Sequence, residues 1–596
     1  MLHLAQAAVA ALAILPSLYS ASPLDTTPSS SSASLSARHA DTCSSKKKPN
    51  IVFIISDDQD QRQNSIGVMK HVQELLVRKG TMFEKFYSPI SLCCPSRSAF
   101  LRAQCAHNTN ITNVRPPYGG WPLFNEFGYG DEWLPTFLEE AGYDVRYTGK
   151  LMNGQTVDNI AALPPKGLVD HAFLLDPYTY DYWHPAFSSP NGTVIYRPGE
   201  YSTDVVAEIG LKYLDDAAKN PDKPFFVGIA PMGPHAHMPY NTENVFDAPI
   251  PAPRHVGAFS NVTLNTSRES FNPDVPSGAS WVRELPKNNE TVIEYITEYY
   301  RGRLESLLAV DELVEKVVKK LDEMGVLDET YIIYTTDNGY ESNAGHRRQP
   351  GKSLAYEEDI NIPLVVRGPD VPQGLIDTDS VYSLVDLAST ILDIASAPTP
   401  YDTDGSLVPL TTSLRDRAKW EGGTKQFHLT EYWVNAYVEG KYNQPNPFPV
   451  NSTLKSLRVV ERELGLDYAY TVWCTGEREI YDMTTDPDQM HNLASTLSSS
   501  STKSSYITRL HTRLDALLLV LKTCSGQSCR LPWKSMFTNG KVKNLKDAMK
   551  KEYDDYFKGL PSVRYSRCEL GYHRTLEAPF WSHTLAYSPE KSYAQC

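Results

Sequence analysis

Five consecutive apolar residues, Ile51-Val52-Phe53-Ile54-Ile55, follow Lys46-Lys47-Lys48-Pro49 and end in Ser56-Asp57-Asp58-Gln59. A run without polar alternation suits a strand covered on both faces, as in a parallel sheet flanked by helices. The pattern recurs. Pro224 to Ala230 empties into Pro231-Met232-Gly233-Pro234-His235-Ala236-His237, and Tyr331 to Tyr334 runs into Thr335-Thr336-Asp337-Asn338-Gly339. Between these runs lie helical periodicities, at Met69/Val72/Leu75/Leu76, Leu134/Phe137/Leu138, Val205/Val206/Ile209, Glu294 to Met324 and Asp386 to Ile394. Strands alternating with helices predict an α/β chain.

In open α/β sheets, ligands bind beyond the carboxyl ends of the strands. Asp57, Asp58, Asp337 and Asn338 stand at two such ends and offer the hard oxygen donors that suit Ca²⁺ or Mg²⁺. Adjacent aspartates also cap turns, and Asn-Gly is a common turn signal. A third feature is Ser91-Leu92-Cys93-Cys94-Pro95-Ser96-Arg97-Ser98. A cysteine at the mouth of a helix, with proline in its opening turn and arginine one turn inside, sits where backbone N–H groups favour an anion.

A formal net charge of -14 argues against nonspecific binding to nucleic acid or to an anionic membrane. An anionic ligand therefore needs locally placed cations or a metal. Residues 1–21 carry a short apolar centre followed by small residues, the pattern of a cleavable signal peptide. Residues 22–49 are Ser- and Thr-rich and read as a disordered leader. Six Asn-x-Ser/Thr sites, at Asn110, Asn191, Asn261, Asn265, Asn289 and Asn451, fit a secreted glycoprotein without stable membrane association. Nine cysteines leave at least one thiol unpaired or modified, and Cys524 and Cys529 are spaced for a small-loop disulfide.

Cys93-x-Pro95-Ser96-Arg97 resembles the signature of the sulfatase family, in which the first cysteine becomes Cα-formylglycine (3-oxoalanine). Further stretches match in order. Gly142-Tyr143 to Gly149-Lys150 resembles the segment whose lysine grips sulfate. Pro234-His235 resembles that of the sulfate-contacting histidine, and Gly351-Lys352 that of the second sulfate-binding lysine. The resemblance implies an alkaline-phosphatase-like α/β sandwich with a smaller C-terminal antiparallel-sheet subdomain. It implies Cys93, Arg97, Lys150, His235, His346 and Lys352 as catalytic residues, with His235 favoured over His237 and His346 protonating the leaving group. One Ca²⁺ would be bound by Asp57, Asp58, Asp337, Asn338 and an oxygen on residue 93. The partners implied are a small-molecule or carbohydrate sulfate ester and, during maturation, the formylglycine-generating enzyme. Two positions depart from the family pattern: Arg102-Ala103 stands in place of Thr-Gly, and Met152-Asn153 where histidine is frequent.

The expected division is a catalytic domain over 50–405, a C-terminal subdomain over 406–530 and an extension over 531–596. The expected activity is hydrolysis of aryl sulfates. The alternatives are a carbohydrate sulfatase such as an N-acetylglucosamine-6-sulfatase, a phosphatase or phosphodiesterase of the same superfamily, and an inactive binding homologue.

Overall fold

A computed structural model describes residues 47–420, 425–442, 452–497 and 502–589. The apolar segment 1–21, most of the Ser-rich stretch 22–49, Cys43, Asn451 and Cys596 lie outside the described residues. At the centre is an eight-stranded sheet. Its spatial order is Leu375–Asp377, Thr81–Phe83, Leu364–Arg367, Thr330–Thr336, Asn50–Ser56, Phe225–Ala230, Asp144–Gly149, Asp170–Phe173. Only Leu364–Arg367 runs against the other strands.

The unbroken apolar run predicted as doubly buried occupies the middle of this sheet. Side chains alternate across the strand, so Ile51, Phe53 and Ile55 enter one core with Phe100, Leu101, Phe137, Leu138 and Ile391. Val52 and Ile54 enter the opposite core with Val205, Val206, Leu307 and Val310. Helices Cys93–Arg102, Leu134–Glu140 and Leu384–Ala395 therefore cover one face, and Ser202–Ala218 and Glu290–Glu323 the other. The last of these starts four residues before its expected position, because Asn289 caps it by accepting from the Val292 N–H at 3.0 Å. The other core covers Ile54 so fully that truncating it to alanine would cost about 2–5 kcal/mol.

A second, antiparallel sheet is formed by Phe427–Tyr432, Leu454–Glu461, Leu466–Trp473 and Arg478–Asp482. Helix Thr502–Leu521 packs on it through Ile507, Leu510, Leu514 and Leu517. Trp533, Met536, Phe537, Tyr556 and Phe557, from a stretch without recognisable motifs, fill the same core. The predicted Cys524–Cys529 disulfide is present, and Cys474–Cys568 is a second one. Among the described residues, Cys93, Cys94 and Cys105 are free thiols. Asn110, Asn191, Asn261, Asn265 and Asn289 are all exposed. No helix among the described residues is long and apolar enough to cross a membrane.

The smaller sheet packs on the larger part through apolar residues, Ile90, Leu92 and Leu354 with Leu454 and Trp473, and polar contacts cross the same boundary. Arg458 of the smaller sheet bonds Glu357 at 2.7 Å, and the two-residue strands Gly351–Lys352 and Tyr437–Val438 pair antiparallel. His428 contacts the Ser88 carbonyl at 3.0 Å, and the Ser88 hydroxyl donates to the Asp337 carbonyl at 2.9 Å. Burial, with Lys425 nearby, pulls His428 down to about 3. Between that value and its ordinary value near 6.5, the unfolded chain binds a proton that the folded chain refuses. His428 thus contributes stability that is complete at neutral pH and is lost as pH falls below about 6.5. The destabilisation caused by His428→Gln, measured by urea unfolding, should therefore shrink between pH 7 and pH 4, by up to about 1.4 kcal/mol per pH unit. A pH-independent difference would contradict this account.

Candidate active site

The three loops beyond the strand ends converge. Asp58 has φ 64°, the left-handed region that aspartate tolerates better than most residues. This turn lets Asp57 and Asp58 face one cavity instead of opposite sides of the sheet. It is held by the Asp58 N–H donating to Asp337 Oδ1 at 3.1 Å, and by Arg303, which donates to the Asp58 carbonyl at 2.6 Å. Asn338 Nδ2 donates to Asp58 Oδ1 at 2.7 Å.

Helix Cys93–Arg102 opens at Cys93 with Pro95 in its first turn, and its N-cap, Leu92, provides no side-chain cap. The N-terminal N–H groups are thus left for another acceptor. Arg97 points back from this helix: Nε donates to Asp337 Oδ2 at 2.7 Å and a terminal nitrogen to the Lys150 carbonyl at 2.5 Å. The helix ends on Ala103 at φ 50°, the left-handed position that glycine fills more cheaply, by about 1 kcal/mol. Arg102 compensates by lying between the rings of Tyr129 and Tyr401, at 4.3 and 4.6 Å.

Two lysines enter, Lys150 after strand Asp144–Gly149 of the central sheet and Lys352 from the separate two-residue strand Gly351–Lys352. Lys150 Nζ lies 2.5 Å from Asp57 Oδ2 and 4.8 Å from the centre of the Tyr180 ring. Lys352 Nζ lies 2.7 and 2.5 Å from the Asp58 oxygens, and 3.4 Å from both Cys93 Sγ and His235 Nε2. Burial works against the charge on each lysine, yet Asp57 holds Lys150, and Asp58 holds Lys352, well above the ordinary range. Burial and the Lys352 charge push His235 well down, so it is neutral. Its Nδ1 faces the Ala236 carbonyl at 2.8 Å and its ring stacks on Tyr180 at 4.1 Å. Burial also raises the Cys93 thiol well above its usual range.

Oxygen donors of Asp57, Asp58 and Asn338 suit a hard divalent cation, whereas both Asp337 oxygens already accept hydrogen bonds, from the Asp58 and Asn338 N–H groups and from Arg97 Nε. Asp57 Oδ1 and Asn338 Oδ1 are buried without hydrogen-bond partners among the described residues. Ligand atoms of Asp57, Asp58, Cys93 and His235 all lie within 4.8 Å of one another. Three carboxylates, Asp57, Asp58 and Asp337, are matched by three cations, Arg97, Lys150 and Lys352. Adding a divalent ion would leave this six-residue cluster positive and suited to an anion.

The cleft above this cluster has a volume of about 1060 Å³, and Cys93, Asn153, Tyr180, His235, Lys352 and Glu439 are among its walls. Of the two histidines after Ala230, His235 faces the cleft. The His237 N–H pairs with the Asp247 carbonyl instead. His346 is placed differently from the expectation. It stacks on Tyr356 at 4.3 Å, beside Arg268, Arg348 and Glu358, and is not part of the cleft wall. Burial holds it at about 4. The loop between Gly339 and Lys352 carries Ala344, His346 and Arg347 in left-handed conformations. Cys94 is buried behind Cys93 against Ser98. Three contributors carried no sequence signal that singled them out. Tyr180 ends a 3-10 helix, Tyr178–Tyr180, Arg303 is one polar position on a long helix, and Glu439 follows a two-residue strand.

Comparison with known proteins agrees with this geometry. The sulfatase family profile, described as "Sulfatase", matches residues 49–397. An arylsulfatase of Chlamydomonas reinhardtii is 35% identical over 562 residues, covering 89% of this chain and 82% of that protein. Human N-acetylglucosamine-6-sulfatase is 29% identical over 532 residues, covering 82% of this chain and 86% of that protein. A solved structure described as a complex with its substrate D-glucosamine-2-N,6-O-disulfate superposes with a TM-score of 0.59 at 21% identity. It covers 78% of this chain and 98% of that one, a likeness of fold. With its α/β sandwich, its smaller antiparallel sheet and a family match over more than half its length, the chain belongs to the sulfatase family.

Proposed function

We propose that this sulfatase hydrolyses sulfate monoesters, aryl sulfates among them, by attack of an oxygen nucleophile carried on residue 93 after conversion of Cys93 to Cα-formylglycine. The observation that carries this reading is the position of Cys93. It alone of the three free cysteines described lies in the cleft wall, at a helix N-terminus, with Sγ 3.4 Å from Lys352 Nζ and 3.8 Å from Asp58 Oδ1. The aldehyde hydrate supplies two geminal hydroxyls, one to take the sulfur and one whose ionisation restores the aldehyde and releases sulfate. A divalent ion, proposed as Ca²⁺, would be held by Asp57, Asp58, Asp337, Asn338 and the oxygen on residue 93, and supplies polarisation of a sulfate oxygen.

The remaining work falls to the chain's own side chains. Lys150, Lys352 and His235 hold the sulfate oxygens in a site walled off from water, where such contacts are strongest. Arg97 fixes Asp337 and the Lys150 carbonyl, and so positions the cluster. His346, outside the cleft wall, is dropped from the proposed role of protonating the departing oxygen. A phenol whose pKa is about 10 needs little such help. Passage through the secretory pathway, inferred from the apolar leader, is supported by the exposed glycosylation sequences and the two disulfides.

Mass analysis of the peptide carrying residue 93 tests the modification: one sulfur and two hydrogens should be lost and one oxygen gained. An unmodified thiol in active enzyme would refute it. Asp337→Ala should reduce bound divalent metal from about one equivalent per chain to near none and abolish sulfate release, as read by elemental analysis. Retained metal would remove Asp337 from the ligand set. Cys93→Ser, with a single hydroxyl, should release at most about one equivalent of phenol and leave a sulfate group on the peptide carrying residue 93. Repeated turnover at near wild-type rate would exclude the formylglycine route.

A further inference from the structure

Glu439 comes from the smaller subdomain into the catalytic cleft. Its N–H donates to the Pro350 carbonyl at 2.8 Å, which continues the pairing of Tyr437–Val438 with Gly351–Lys352. The residue is only 5% exposed, and its Oε1 lies 3.3 Å from Lys352 Nζ. Oε2 has no hydrogen-bond partner among the described residues. Asn153, 8% exposed, is in a similar state: Nδ2 donates to the Tyr180 hydroxyl at 2.6 Å and Oδ1 has no partner. Both residues are in the cleft wall with Cys93.

A buried acceptor without a donor is costly, so the ligand is expected to bring donors with it. A bare phenyl ring has none, whereas a sugar has hydroxyls and an amino sugar an ammonium group. The charge of the wall restricts the ligand further. Beyond Lys352, whose ammonium already faces Asp58, the wall presents Asp158, Asp176, Glu243 and Glu439 against the single cation Arg115. A second sulfate or a carboxylate on the leaving group would meet this excess of negative charge.

We propose that Glu439 is a specificity-determining residue, receiving a hydroxyl or ammonium donor from a sugar leaving group. The favoured substrate is a monosulfated sugar carrying a free hydroxyl or amine, not a second anionic group, beside the ester. This rests on the sulfate-ester reading above and narrows its substrate class.

The test compares kcat/KM of wild type and Glu439→Gln on 4-nitrophenyl sulfate, glucosamine 6-sulfate and N-sulfated glucosamine 6-sulfate. Wild type should prefer the free amine to its N-sulfated counterpart. Removing the charge should lower kcat/KM for glucosamine 6-sulfate roughly tenfold more than for the aryl sulfate, chiefly through KM, and should narrow the preference for the free amine. Inhibition of aryl sulfate hydrolysis by free glucosamine should weaken by a similar factor of about ten in the same variant. Equal losses on all three substrates would reduce Glu439 to a support for Lys352 and overturn the proposal. So would unchanged inhibition by glucosamine, or a wild type that cleaves the N-sulfated sugar as readily as the free amine. A wild type that cleaves only the aryl ester overturns this inference and leaves the sulfatase reading standing. Release of sulfate from none of the three overturns both.

Discussion

Everything in the catalytic half of the molecule depends on burying Asp57, Asp58 and Asp337 together at the ends of two adjacent strands. Carboxylates this close and this dry repel one another, and desolvation adds to the cost. Arg97, Lys150 and Lys352 offset that cost by direct ion pairs, each reaching in from a different element. The pairing is incomplete, since Asp57 Oδ1 and Asn338 Oδ1 have no hydrogen-bond partner among the described residues, and Arg97 stands 3.8 Å from Asp57 Oδ1. The arrangement keeps oxygen donors in reserve for a cation, at some cost to the stability of the protein without one.

That cluster explains the scaffold around it. The central strand has to be buried on both faces so that its end sits in a low-dielectric region, where lysines act strongly on an anion. Helix Cys93–Arg102 has to be held end-on, and its own Arg97 does this by bonding Asp337 and the Lys150 carbonyl. The smaller sheet is part of the same construction. His428 contacts the Ser88 carbonyl, Arg458 bonds Glu357, and the strand before Glu439 pairs with the one that carries Lys352. A segment with no catalytic motif thereby contributes Glu439 to the cleft wall.

The sequence alone determined the layered α/β class, the doubly buried central strands, the acidic turns at their ends, the helix opening at Cys93 and the Cys524–Cys529 loop. Each is a local property: an unbroken apolar run, a helical period or a short cysteine spacing needs only neighbouring residues to be read. The tertiary structure decided what local pattern does not encode. It put His235 in the cleft wall and left His237 out of it, its backbone N–H paired with the Asp247 carbonyl. It stacked His346 on Tyr356, outside the cleft wall, in a loop from Gly339 to Lys352 whose left-handed turns no periodicity announces. It also brought Glu439 to Lys352, 87 residues apart in the chain, and Arg303 to the Asp58 carbonyl, contacts made only when separate layers pack. Strand and helix identity follow from the chemistry of adjacent side chains. Which charged groups share one desolvated cavity follows from the path of the whole chain.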